Sequence, residues 1–199
     1  MKTTEPESLD EHLTRLLALE AEADTITGWH PTLMPGMLQS ADYARAAITA
    51  SAPALAPEDV DERANGRTAR IDALGRAAGR TARFVIGEDV LALPVGGPAT
   101  LAAQLDHLLT LVALRPSLEV RVLPRGDAHP GLNGAFTIYR SRPGRSVFVE
   151  NLASTTVLNR PEHLTAFIHA GDHVEQRAAS PAESLQMIRA ARTRVASHA

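Results

Sequence analysis

Residues 134–150 read GAFTIYRSRPGRSVFVE. Two short runs rich in β-branched and aromatic residues flank SRPGR, and the Pro143-Gly144 pair suits a type II turn, so the stretch is expected to form a β-hairpin. Working outward, STTVL (154–158) continues the hairpin as a meander. Upstream, LEVRVLP (118–124) sets Leu118, Val120 and Val122 against Glu119 and Arg121, the alternation of a half-buried strand. Arg83 to Gly87 reads as a further strand, and Thr25 to His30 is a short run rich in β-formers.

Helical periods frame these strands. Leu9, Leu13, Leu16 and Leu17 predict a first helix packing by one stripe and ending near Asp24, with Ser8 and Glu11 as a capping box. Pro31, Pro35 and Gly36 break the chain before Ser40 caps a second helix over Ala41–Ala50. A polar helix starts at Pro57-Glu58-Asp59 and runs toward Gly75, with Gly66 weakening its middle. Pro98 to Leu114 carries Leu101, Leu105, Leu108 and Val112 on one stripe. Arg160-Pro161-Glu162 opens another helix, and Ser180-Pro181-Ala182-Glu183 opens the last with cap, first-turn proline and box glutamate in place. There is no internal repeat and no low-complexity linker. The expectation is α+β: residues 1–7 as a flexible tail, then one domain over 8–199, with an antiparallel or mixed sheet and helices at both chain ends.

At 199 residues the chain fits one domain that buries roughly 70% of its unfolded surface. Its net charge of −3 lacks the cationic excess that neutralising phosphates requires, so no nucleic acid is expected as a partner. The absence of cysteine removes disulfides, thiolate metal sites and thiol nucleophiles. A polar, acidic N-terminus and no long apolar run predict a cytoplasmic chain with no membrane contact.

FIHAGDHVEQ (167–176) spaces His169 and His173 for a helical metal clamp. At 100° per residue, however, Leu164, Phe167, Ile168, Gly171, Val174 and Ala178 form the apolar face and both histidines project almost opposite it. No metal is expected. Gly171 is the odder residue, because an interior helical glycine costs about 1 kcal/mol against alanine. Its missing side chain leaves room for a ligand or for a close helix contact.

WHPTLMPGMLQSADYARA (29–46) resembles a pattern of one large family: an aromatic residue, Glu-Pro, two residues, Val-Pro-Gly-Leu-Leu-Gln-Thr, one residue, then Asp-Tyr-Ala-Arg-Ala. The similarity continues in order through LALEAEA, GEDVLALPVGG, VRVLPRGDAHPGLNGAFTIY, VFVEN and SPAES, over nearly the whole chain. It identifies the chain as a member of the domain of unknown function 5753 family. That resemblance implies the C-terminal part of an actinobacterial XRE-type helix-turn-helix regulator, here expected to stand without the DNA-reading helices that normally precede it. Two positions depart from the family pattern: His30 replaces an acidic residue, and Gly171 stands where a bulky aromatic is usual.

Polar residues at strand ends and in loops supply the candidate chemistry: His30, Glu88, Asp127, His129, Asn133 and Glu150, with Trp29 and Gly171 as candidate ligand contacts. Trp29-His30 reads as an aromatic wall with a proton shuttle near pH 7, or as a core indole beside a surface imidazole. His129, in DAHPGLNG, is a loop binding group or a turn residue bonded to backbone. Glu150 ends an apolar strand and is a general base if burial raises its pKa, or a solvated carboxylate. His30, His129 and Glu150 are thus the catalytic candidates. No serine elbow, phosphate loop or H-E-x-x-H is present, Val95-Gly96-Gly97-Pro98 lacks the P-loop lysine, and no cofactor is expected. Two functions follow: a stand-alone module binding a small apolar metabolite or a partner protein, or a cofactor-free enzyme of specialised metabolism performing acid–base cyclisation or isomerisation.

Overall fold

The computed structural model describes residues 9–75, 79–142, 144–150 and 155–197. The expected tail, the Ser8 cap and Pro143 of the hairpin turn lie outside them. Within them the order is α1 (Leu9–Glu22), β1 (Thr25–His30), α2 (Ala41–Ser51), α3 (Pro57–Ala69), β2 (Thr81–Gly87), α4 (Pro98–Leu114), β3 (Leu118–Leu123), β4 (Phe136–Ser141), β5 (Gly144–Glu150), β6 (Thr155–Leu158), α5 (Pro161–Arg177) and α6 (Pro181–Ala196). The polar helix passes through Gly66 and stops at Ala69, continuing to Gly75 as a tighter 3-10 turn.

The strands form one sheet in the order β3-β2-β1-β4-β5-β6. Long helical connections carry the chain from β1 to β2 and from β2 to β3, so these pair parallel; β4, β5 and β6 follow one another closely and pair antiparallel. β1 joins the halves, with Trp29 opposite Phe136 on β4. The fold is α+β with a mixed sheet.

Because side chains alternate across a strand, each strand divides its residues between two cores. Ile26, Phe84, Ile86, Val120, Val122, Tyr139 and Phe148 face one core, built with α1, α4 and α6. Trp29, Val85, Leu123, Phe136 and Val147 face the other, covered by Ala170, Val174 and Ala178 at α5. On α4, Leu101, Leu105 and Leu108 are fully buried, each contributing about 1.5–3 kcal/mol. Leu111 completes that stripe, and Val112 lies only half inside.

The stripe on α1 differs from expectation. Leu13 and Leu17 are exposed, whereas Leu16, Glu20 and Ala23 are buried and Leu19 packs against the core. The helix turns this flank inward because Glu20 finds a buried cationic partner. At the C-terminal end, the link from α5 to α6 covers the β3 edge: Ala179 N–H donates to Val122 O (2.9 Å), and Val122 N–H donates to Ser184 Oγ (2.9 Å). That blunts an otherwise open sheet edge. Ser180 and Glu183 form the expected capping box of α6. Among the described residues no helix is long and apolar enough to cross a membrane.

Candidate functional site

β1 places Trp29 and His30 on opposite faces of the sheet, so the two neighbours serve different surroundings. Gly28 makes room on the His30 side: a Cβ there would come within 2.6 Å of the Phe84 ring and 3.1 Å of His30 Nε2. The imidazole tilts against Phe84 (centroids 6.0 Å apart), and its Nε2 lies 3.4 Å from Thr137 Oγ1. Burial, assisted by the Arg70 charge, lowers its pKa to about 4. His30 is therefore neutral at pH 7, and the expected shuttle range near neutrality is not where it titrates.

Beneath it sits a polar cluster. Arg70 Nε donates to both carboxylate oxygens of Glu20 (3.0 and 2.9 Å), and its Nη2 reaches Oε1 at 2.5 Å. Burial alone would lower Arg70, but the bonds to Glu20 more than reverse this. Tyr139 makes a long 3.5 Å bond to Glu20, and burial together with the Glu20 charge raises its phenol far above the usual range. These groups, with Met37 and Phe84, line a cavity of about 20 Å³, the room of a single water molecule. Next to it, Gln104 is fully buried; its Oε1 accepts from Ser40 N–H (2.7 Å) and its Nε2 donates to Leu38 O (2.9 Å). That amide pins the proline-broken segment in front of α2.

Trp29 faces the other core. Its Nε1–H donates to Gly131 O (2.7 Å), and its ring meets His129 edge-on at 5.4 Å. His129 Nδ1 and His173 Nε2 are both buried without a hydrogen-bond partner among the described residues. Burial first, then the charges of Arg177 and His173, lower His129. His173 thus departs from the solvent-facing position expected for it, while His169 is exposed. The buried stripe of α5 is centred on Ala170, Gly171 and Val174, and its border carries His173 toward the 130–133 turn. Among the described residues no group of three metal-ligating side chains is assembled.

The remaining candidates do not converge. Glu88 accepts from Arg125 N–H (3.0 Å), Asn133 is exposed with its amide on Pro130 O (3.4 Å), and Asp127 lies 3.6 Å from Arg177. Glu150 is exposed at the end of β5, so the burial that would make it a base is missing. Gly171 is buried, and a Cβ there would meet Ile138 and Phe136 at 3.7 Å, ordinary contact rather than a clash or a void. It faces β4 and lines neither cavity described here.

A larger groove, about 470 Å³, opens at the hairpin end of the sheet. Leu19 and Glu22 of α1, Tyr139 and Ser141 of β4, Arg145 and Ser146 of β5, and the α5 entry at Asn159, Pro161 and Leu164 line it. Tyr139 borders both this groove and the small polar cavity. None of the groove residues was among the candidate site residues read from the sequence, nor were Glu20, Arg70, Thr137 and Gln104 of the polar cluster. The available signal for Glu20 was its place one turn after Leu16; the groove left none, because its walls come from separate stretches of chain.

These features define a mixed-sheet α+β domain with a small polar cavity and, at the hairpin end, a larger groove. The chain belongs to the family described as Domain of unknown function (DUF5753), whose model matches residues 13–190. No curated protein matches the chain.

Proposed function

We propose that this domain is a small-molecule-binding module of regulatory type, and that the groove between α1, the β4–β5 hairpin and the α5 entry receives the ligand. The observation carrying this reading is the groove's size: about 470 Å³ lies within the roughly 300–1,000 Å³ of small-molecule sites. Its lining sets Leu19, Leu164, Pro161 and Tyr139 beside an equal share of polar groups, Glu22, Ser141, Arg145, Ser146 and Asn159, so it offers both apolar contact and hydrogen bonding. The acid–base alternative is less well supported, because His30, Glu20, Arg70 and Tyr139 surround only about 20 Å³, too little for an organic substrate. The net charge of −3 speaks against duplex DNA as the ligand.

The test uses N-phenyl-1-naphthylamine, an uncharged apolar fluorophore. Saturable binding is expected in the wild-type protein, and Ser146→Trp, which places an indole in the groove, should remove it without lowering the melting temperature. Unchanged dye binding in that variant contradicts the assignment.

A further inference from the structure

We infer that Asn133 is a site of spontaneous covalent modification: the Gly134 backbone nitrogen attacks its side-chain carbonyl carbon, and the residue ages to aspartate and isoaspartate. The isoaspartate form loosens the turn that holds Trp29.

The chain carries two Asn-Gly pairs, Asn65-Gly66 and Asn133-Gly134. Glycine is the successor that shields its own amide least, having no side chain. Both asparagines are exposed, and a Cβ on either glycine would meet nothing within 4 Å. Access is therefore equal, and the backbone decides between them. Asn65 and Gly66 lie inside α3, which continues past Ala69 as a 3-10 turn to Gly75. In an α-helix the Gly66 N–H points along the axis to the carbonyl four residues back, away from the Asn65 side chain, and freeing it means opening a cooperative run of bonds. Asn133 instead ends a short 3-10 turn, Pro130–Asn133. Its amide donates to Pro130 O at 3.4 Å and the Gly134 N–H to Gly131 O at 3.3 Å, both longer than the usual range of about 2.7–3.2 Å. Gly134 has φ 123°, a conformation glycine favours, so the chain leaves the helical path at the nucleophile itself. A turn held this weakly opens readily.

In the reaction the Gly134 nitrogen bonds to Asn133 Cγ and gives up its proton, the Cγ–Nδ2 bond breaks, and ammonia leaves. Water then opens the five-membered imide at either carbonyl. Opening at one gives an ordinary aspartate; opening at the other routes the backbone through the side chain and lengthens it by a methylene. Either product adds one negative charge to a chain of net charge −3. The methylene falls in the turn whose Gly131 O accepts the Trp29 Nε1–H (2.7 Å) and whose neighbour His129 meets the indole edge-on. A longer backbone shifts that acceptor, and Trp29 is the only tryptophan in the chain.

The experiment incubates the whole chain in mildly basic buffer, follows the one-dalton mass gain by peptide mapping, and labels isoaspartate with protein L-isoaspartyl methyltransferase. Asn133 should react at least about tenfold faster than Asn65 and its product should accept label, since the rate follows the population of opened backbone. In urea the gap should close. Tryptophan emission should shift in step with labelling. Asn133→Gln, whose longer side chain does not form the five-membered ring, should abolish both the modification at 133 and the emission shift. Equal rates at the two sites in the folded chain, an intact Asn133, or a gap that persists in urea overturns a site selected by the fold. Isoaspartate at 133 with unchanged emission overturns the effect on Trp29.

Discussion

The two halves of the sheet are built for different work. β2, in the parallel half, buries five of its seven residues and has strands on both sides and cores on both faces. β6, at the outer edge of the antiparallel half, has no fully buried residue, and the groove opens over the β4–β5 end beside it. The parallel half gains its stability from burial and leaves room for little more than one water molecule; the meander half leaves part of its surface for something else. The comparison locates function by what packing has not used. The candidates nearest β1, Trp29 and His30, sit in the half that is already filled.

The largest effect should come from the Glu20–Arg70 pair beneath β1. Glu20→Leu alone leaves the Arg70 guanidinium buried without its carboxylate, at a cost of about 3–5 kcal/mol in urea unfolding. Glu20→Leu/Arg70→Met should recover most of that loss, because removing both charges abolishes the unpaired one. If the single change costs under about 1 kcal/mol, water screens the pair and the contrast between a filled half and a half with a groove weakens.

His30 sharpens the same point through pH. Its folded pKa of about 4 lies below the ordinary 6.5, so the unfolded chain takes up a proton that the folded chain refuses over that interval. The contribution is fully present above pH 6.5 and is lost as pH falls to about 4, amounting to at most about 3 kcal/mol. His30→Gln should flatten that part of the pH–stability curve relative to the wild-type protein. Curves that stay parallel would mean the imidazole reaches solvent and the parallel half is less closed than described.

Gly171 gives the smallest effect. A Cβ at ordinary contact distance from Ile138 and Phe136 predicts that Gly171→Ala gains up to about 1 kcal/mol of helix propensity. Gly171→Leu should overpack that contact and lose about 1–3 kcal/mol. Both should leave dye binding unaltered. A stable leucine variant that no longer binds dye would move the ligand under α5.

How much of this was legible in the sequence follows from what period reports. Alternation in LEVRVLP and the hairpin runs marked β3 to β6, and the Leu101/Leu105/Leu108 spacing marked α4, because each is a local pattern answering to one buried face. The parallel order of β1, β2 and β3 left no local trace, since pairing partners are chosen by the helices between them. Glu20 and Gln104 carry no local mark of burial; it depends on Arg70, fifty residues on, and on backbone groups sixty-four and sixty-six residues away. His173 was misplaced because Ala170 counts as weakly apolar by type but is covered by its neighbours, which shifts the buried stripe toward the histidine. The groove required tertiary structure altogether: α1, the β4–β5 hairpin and the α5 entry meet there from three separate stretches of chain.

The most direct test of the central claim is amide hydrogen exchange with and without N-phenyl-1-naphthylamine. The account predicts dye-induced protection confined to the α1 segment around Leu19–Glu22, the β4–β5 hairpin and the entry to α5, with β2 and β3 unchanged. Protection appearing in β2 and β3 while the hairpin stays unaltered would contradict it.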